Sequence, residues 1–256
     1  MHAPAPPTDP SSVAEASLTV PEELAAAGLS LLPEYVSAAE EAELLAFHDS
    51  QEWDSTVRRR TQHYGARFDY LSKRAAADAA PLPEPLSRLA ARLLSAPALL
   101  PWPATGWEER VQATVNEYQP GVGIAAHVDT HSAFGDGIAA LTLGAGIAFR
   151  LTHAGGSDHS LWLPPRSLLV LCGAVRYDWK HAIASRRWDR VGGAWRARGR
   201  RVSVTLRQLN RASLAAAGSA PVCGCAWPAL CDAQPGGTPL ALPTRIHGAA
   251  ATYKAT

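Results

Sequence analysis

A chain of 256 residues that is 47% hydrophobic can bury one sizeable core, with room for tails. A formal net charge of +1 provides no overall field toward nucleic acid, so any such attraction must come from a local patch. Four cysteines without a secretory signal argue against a disulfide framework and for a reducing compartment, and no window is long and apolar enough to span a bilayer.

Residues 1–20, rich in Pro, Ala, Ser and Thr, read as a disordered tail. Pro21 to Ala27 predicts a short helix closed by Gly28, and Leu29 to Pro33 a short extended segment. Ser37 and Glu40 form a capping box that opens an amphipathic helix through Leu44, Leu45 and His48. Arg58, Arg59 and Arg60 then lead into Gln62-His63-Tyr64-Gly65, by itself a solvated edge strand. Leu86, Leu89 and Leu93 make a core stripe on a helix over 82–94, and prolines between 97 and 103 end it. Val111 to Val115 is a strand carrying Asn116 and Tyr118 at its far end. Further on, short apolar runs at 138–144, 147–151, 160–164 and 168–171, punctuated by Gly and Pro, signal an all-β sandwich or barrel. His153 and His159 fall in a Gly-rich turn and read as solvated, and Cys172 as a small core residue.

The chemistry concentrates in His127-Val128-Asp129-Thr130-His131. In an extended strand residues i and i+2 share a face, so His127 and Asp129 can offer two ligands to one cation. His181 is the candidate third ligand, and two imidazoles plus one carboxylate leave open the positions that Fe(II) needs for oxygen chemistry. Arg201 and Arg207 lie at i and i+6 on one face of an alternating strand, and two guanidinium forks suit the two carboxylates of a dicarboxylate co-substrate. Cys223, Cys225 and Cys231 are three thiols short of a tetrahedral site that His131 can complete.

Asn116-x-Tyr118, His127-x-Asp129, His181 and Arg201-x-Ser203-x-x-x-Arg207, in that order, resemble the AlkB family of Fe(II)/2-oxoglutarate dioxygenases from about Leu29 to Arg207. The resemblance implies iron at His127, Asp129 and His181, and 2-oxoglutarate at Asn116, Tyr118, Arg201, Ser203 and Arg207. Ser203 departs from the Asn of the bacterial demethylase pattern. Implied too is a double-stranded β-helix, or jelly roll: an all-β core with supporting helices over 21–210, and an N-terminal α/β extension forming a nucleotide-recognition lid. Within that lid Arg58, Arg60, His63 and Tyr64 become candidates for substrate contact, with Phe68, Asp69 and Tyr70 continuing it, and Asp136 and Arg176 are candidates beside the base.

HxDxH together with CxCx5C resembles the zinc-containing subgroup related to the dioxygenase part of the animal tRNA methyltransferase fusion. That likeness implies Zn(II) at His131, Cys223, Cys225 and Cys231, a flexible link over 211–222, and a tail over 223–256 pinned to the same domain. It implies hydroxylation of a modified wobble uridine in tRNA by molecular oxygen. A length of 256 residues leaves no room for the fusion's other modules, so a methyltransferase is expected to act in trans. Oxidative demethylation of alkylated DNA or RNA, hydroxylation of a protein, and a non-catalytic nucleic-acid-binding module are the alternatives. The basic segment with Arg186, Arg187, Arg190, Arg196, Arg198 and Arg200 around Trp188 and Trp195 suits phosphate contact and base stacking, and equally a merely soluble loop. A cytoplasmic location is expected, with the nucleus also open, and no membrane partner. His247 and Tyr253 have no argued role.

Overall fold

The computed structural model describes residues 5–56, 58–65, 68–69, 74–75, 81–103, 105–106, 110–210 and 223–234. The link over 211–222, Tyr70, His247, Tyr253 and the tail beyond 234 lie outside them. In the first half come β1 (Glu15–Ala16), α1 (Glu22–Ala26), β2 (Leu29–Leu32), α2 (Ala38–Ser50), β3 (Arg60–Gly65), the short pair β4 (Phe68–Asp69) and β5 (Arg74–Ala75), α3 (Glu84–Leu94) and β6 (Val111–Tyr118). The second half holds β7 (Ile124–His127), β8 (Phe134–Gly144), β9 (Ile147–His153), β10 (Asp158–Leu163), β11 (Leu168–Leu171), α4 (Ala174–Tyr177), β12 (Trp179–Ile183), β13 (Trp188–Val191), β14 (Ala194–Ala197) and β15 (Arg201–Leu209). Among the described residues no helix is long and apolar enough to cross a membrane.

Two sheets face each other, one ordered β2-β11-β8-β15-β6-β3 and the other β10-β9-β12-β7. Strand alternation sorts their side chains. Val111, Ala113 and Val115 of β6 and Val202, Val204 and Leu206 of β15 pack under α2 and α3. The opposite face of the large sheet looks between the sheets, where Tyr118, Ile138, Leu169 and Leu171 meet Phe149, Leu151, Leu161 and Ile183. This is the expected double-stranded β-helix with helices supporting one face. The local signals hold as well: Ser37 and Glu40 close a reciprocal capping box on α2, and Gly28, at φ +103° and with Cys172 backbone where a Cβ would stand, ends α1.

Two segments differ from expectation. The N-terminal stretch read as a disordered tail contributes β1, which pairs in parallel with β13, Glu15 opposite Arg190 and Ala16 opposite Val191. Ala16 is buried against Ala148 and Val191, a contact across more than 130 residues that composition does not reveal. The arginine-rich segment is a β-hairpin, β13 with β14, that with β1 forms a third sheet. Its charges are largely consumed inside the protein. Buried Asp189 accepts from Arg198 and Arg186, each with a 2.8 Å contact, Arg190 meets Glu15 at 2.7 Å, and Arg196 lies over Trp162.

Glu117 shows how a strand edge is pinned. Only 3% exposed on β6, it accepts from Arg60 Nε and Nη2 at 2.6 and 2.8 Å and from Arg200 Nε at 2.7 Å. Burial raises its pKa, but the two guanidinium groups outweigh that and pull it to about 2. Its charge-dependent stability is therefore complete above the ordinary value of 4.5 and is lost as pH falls toward about 2. Glu117→Gln should flatten that part of the acid-stability profile and cost about 3 kcal/mol at neutral pH, read from denaturant melts across pH. An unchanged profile would remove Glu117 as the pin of β3.

Candidate active site

His127 ends β7 and His181 sits directly opposite it on β12, their ring centroids 4.3 Å apart. The expected strand through Asp129 is not formed, because the chain leaves the sheet after His127. Asp129 nonetheless returns its carboxylate to 3.9 Å from His127 Nε2. Donor atoms of His127, Asp129 and His181 all lie within 4.8 Å of one another. His127 Nδ1 is 2.8 Å from the Ala125 carbonyl; a carbonyl only accepts, so Nδ1 donates there and Nε2 is the nitrogen turned toward Asp129. Burial, reinforced by His127, pushes His181 down to about 3 and keeps that ring neutral. Burial favours a neutral Asp129, but the adjacent Arg207 guanidinium above all outweighs it and holds the carboxyl well below the usual range. An ionised carboxylate and the neutral His181 ring are ligand forms a divalent cation requires.

Two arginines fix this constellation. Arg207 on β15 grips Asp129 with two bonds, Nε to Oδ2 at 3.0 Å and Nη2 to Oδ1 at 3.2 Å, and donates from Nη1 to Thr114 Oγ1 at 3.2 Å. Arg176, expected beside the base, is 2% exposed on α4 and donates from Nη1 and Nη2 to the carbonyls of Asp129, Thr130 and Phe134, its Nε left without a partner among the described residues. Asp136, the other base candidate, accepts from the N–H groups of Gly137 and Gly173. Arg176 thus holds the turn after β7, where a carbonyl-rich irregular segment needs a buried donor, while Asp136 ties β8 to the start of α4 through Gly173.

The neighbouring polar pocket follows from strand register. Antiparallel pairing sets Arg201 opposite Tyr118 and Ser203 opposite Asn116, and on the other side of β15 Ser203 faces Thr142. Arg201 is buried, lies 5.2 Å over the Tyr118 ring, and donates to Thr142 Oγ1 at 3.0 Å and Ser203 Oγ at 3.2 Å. Its Nε has no partner, and among the described residues no carboxylate meets it. Burial presses its pKa down to about 10. A buried cation with an orphaned donor fits an anionic ligand such as a carboxylate. Arg207, expected to share that ligand, has Asp129 as its partner. Arg59, which the sequence reading passed over, donates from Nε to Asn116 Oδ1 at 2.7 Å and lies 5.9 Å from the Tyr118 ring.

A second donor cluster begins two residues past Asp129. His131, Cys225 and Cys231 place one ligand atom each within 4.8 Å, with His131 Nδ1 3.4 Å from Cys225 Sγ. Cys223 falls outside that tight group but its thiol interacts with those of Cys225 and Cys231, and burial pushes it up to about 12. Sequence reading missed what latches the cysteine segment down. Ser132 donates from its backbone N and its hydroxyl to Asp232 at 3.0 and 2.5 Å, and Trp227 stacks on Tyr177 at 4.8 Å.

The substrate-side candidates separate by strand parity. Arg60, Gln62 and Tyr64 face the helices: Arg60 is spent on Glu117, and Tyr64 donates to Gln62 at 3.0 Å. Arg60 and Tyr64 are therefore corrected, since a two-residue period cannot aim neighbours of opposite parity into one cavity. His63 has the other parity, is exposed, and meets Thr114 Oγ1 at 3.3 Å. Arg58 is exposed ahead of β3, and Arg187 is exposed beside the turn at Gly121. Arg186 is corrected by its ion pair with Asp189. His153 and His159, read as solvated, pair with Asp178 at 2.9 Å and Glu23 at 2.7 Å around Trp179.

A profile of the 2OG-Fe(II) oxygenase superfamily matches residues 28–207. The "Alkylated DNA repair protein ALKBH8 homolog" of Arabidopsis thaliana is 36% identical over 246 residues, covering 88% of this chain and 66% of its own length. The "tRNA (carboxymethyluridine(34)-5-O)-methyltransferase ALKBH8" of Macaca fascicularis is 33% identical over 244 residues, covering 84% of this chain and 34% of its own length. The chain thus spans just under two thirds of the plant relative and about a third of the macaque one. The solved structure of OsALKBH1 shares the fold, with a TM-score of 0.53, 17% identity, and coverage of 71% of this chain and 96% of its own. Sequence and fold agree that the chain belongs to the 2OG-Fe(II) oxygenase superfamily, as an AlkB-type dioxygenase that uses Fe(II) and 2-oxoglutarate.

Proposed function

We propose that this dioxygenase hydroxylates the side chain of a modified wobble uridine in tRNA. The observation that carries the reading is the His131, Cys225 and Cys231 cluster, joined to the Asp129 segment and flanked by Cys223. It is a zinc-type donor set additional to anything the iron chemistry needs, and it accompanies the likeness to a protein named for carboxymethyluridine 34 of tRNA. In this reading His127, Asp129 and His181 hold Fe(II), and His131, Cys223, Cys225 and Cys231 hold Zn(II). Arg201, Tyr118, Asn116 and Ser203 hold 2-oxoglutarate, and Arg207 keeps Asp129 charged and oriented. When bound, iron and 2-oxoglutarate would supply the oxidising power: one atom of molecular oxygen would enter a substrate C–H bond and the other the succinate formed as 2-oxoglutarate loses carbon dioxide. Partial burial of Asp129 and His181 and the bond from His127 Nδ1–H to the Ala125 carbonyl would orient these three groups toward the metal. Arg58 and Arg187 are exposed groups that suit contact with RNA, and an anticodon-loop base is already unstacked enough to be presented.

Mass spectrometry of nucleosides from tRNA incubated with protein, Fe(II), 2-oxoglutarate and ascorbate should show one oxygen gained on a carboxymethyl-type wobble uridine. The gain should vanish with His127→Ala. Loss of methyl groups from other bases would instead establish oxidative demethylation, the activity named in a 28% identical Caenorhabditis elegans relative, "DNA N6-methyl adenine demethylase".

A further inference from the structure

We propose that Arg59 is a positioning residue for the co-substrate, setting which end of the Asn116 amide faces 2-oxoglutarate. The inference rests on the co-substrate pocket described above and adds a residue from outside its two strands. Register brings Arg59 there: Arg60 is opposite Glu117 and Thr61 opposite Asn116, and the Arg60–Glu117 ion pair locks that alignment. Arg59 immediately precedes β3, and its Nε reaches Asn116 Oδ1 at 2.7 Å.

The consequence follows from donor chemistry. A guanidinium has five N–H donors and no acceptor, so the amide oxygen of Asn116 must be the atom that faces it. The amide nitrogen is thereby turned away from Arg59. Asn116 is 7% exposed and shares a row with Ser203 and Thr142, beside the unpaired Nε of Arg201. A carboxylate held there meets two N–H donors from the amide instead of a second oxygen. Without Arg59 the amide can rotate, and the outward oxygen would repel the anion it is meant to bind. The Arg59 guanidinium lies 5.9 Å from the Tyr118 ring and that of Arg201 5.2 Å from it, so the same ring packs against both cations.

The test is calorimetric binding of 2-oxoglutarate to the full chain loaded with Mn(II). Arg59→Met should weaken 2-oxoglutarate binding about 10-fold, the value of one hydrogen bond to a charged group, while Mn(II) affinity and melting temperature stay as in the parent. Arg59→Lys should recover most of the loss, because an ammonium also donates to Oδ1. In an Asn116→Ala background Arg59→Met should add less than about 2-fold, since the orienting effect has no amide to act on. Undiminished 2-oxoglutarate affinity in Arg59→Met, or an equal loss in the Asn116→Ala background, overturns the proposal. Arg201→Met separates the two readings: if it leaves 2-oxoglutarate affinity intact, the pocket itself is misplaced and the role of Arg59 falls with it.

Discussion

Asp129→Ala should abolish conversion of 2-oxoglutarate to succinate and lose bound iron. Removing an outer partner of a metal ligand already costs roughly 10- to 100-fold, so removing the one anionic ligand should exceed that range. A second effect separates this site from a generic cation cluster. Asp129 is also the acid that neutralises Arg207 through two bonds, and Arg207 is only 8% exposed. Deleting the carboxylate leaves that guanidinium buried without a counter-charge, which costs about 3–5 kcal/mol. The variant should therefore melt early even with no metal present. Asp129→Asn keeps the shape and an acceptor for Arg207, so it should regain part of the stability while remaining unable to turn over. Metal content by elemental analysis and melting curves with and without Fe(II) read both effects, and retained succinate production in Asp129→Ala would refute the iron assignment.

Cys225→Ser should release zinc and destabilise the domain. Structural zinc sites carry apparent binding free energies of about 10–16 kcal/mol, strongly pH-dependent, against net domain stabilities of about 5–15 kcal/mol. Over residues 223–234 only Cys231 is fully buried, and ties to the rest of the domain include the Asp232 clasp on Ser132 and the Trp227–Tyr177 stack. Because His131 stands two residues from Asp129, the loss should reach the iron site, and iron occupancy should fall along with zinc. Elemental analysis of purified protein and thermal melts with and without a chelator test this. Unchanged zinc content and melting temperature would show these thiols to be free.

The chemistry was legible wherever it was written as a local pattern. Asn116, Tyr118, Arg201, Ser203 and Arg207 keep strict two-residue spacing, so one antiparallel pairing brings them together. The capping box of Ser37 and Glu40 closes within three residues. What escaped was written across the chain. Arg176 looks like any basic residue until α4 buries it over the Asp129 turn, and the 186–200 arginines look solvated until Asp189 is seen to be fully buried among them. Asp189 was visible within the same stretch, and its spacing of three from Arg186 was the available signal. Arg58, Arg60, His63 and Tyr64 were grouped as one surface, although alternating parity divides them between two faces of β3.

The place of β15 bears on how such a chain comes off the ribosome. In the large sheet β15 lies between β8 and β6, yet of the strands in that sheet it comes last in sequence. Until residue 209 has emerged, one half-sheet carrying β2, β11 and β8 and another carrying β6 and β3 have no hydrogen-bonded connection to each other. Arg207, the grip on Asp129, arrives only with that final strand. Two open edges must therefore wait until β15 has emerged, and closure is a long-range step, the kind that folds slowly and exposes unpaired strands. The domain is thus expected to acquire metal only after β15 is in place, and to be most vulnerable to misassembly just before that strand arrives.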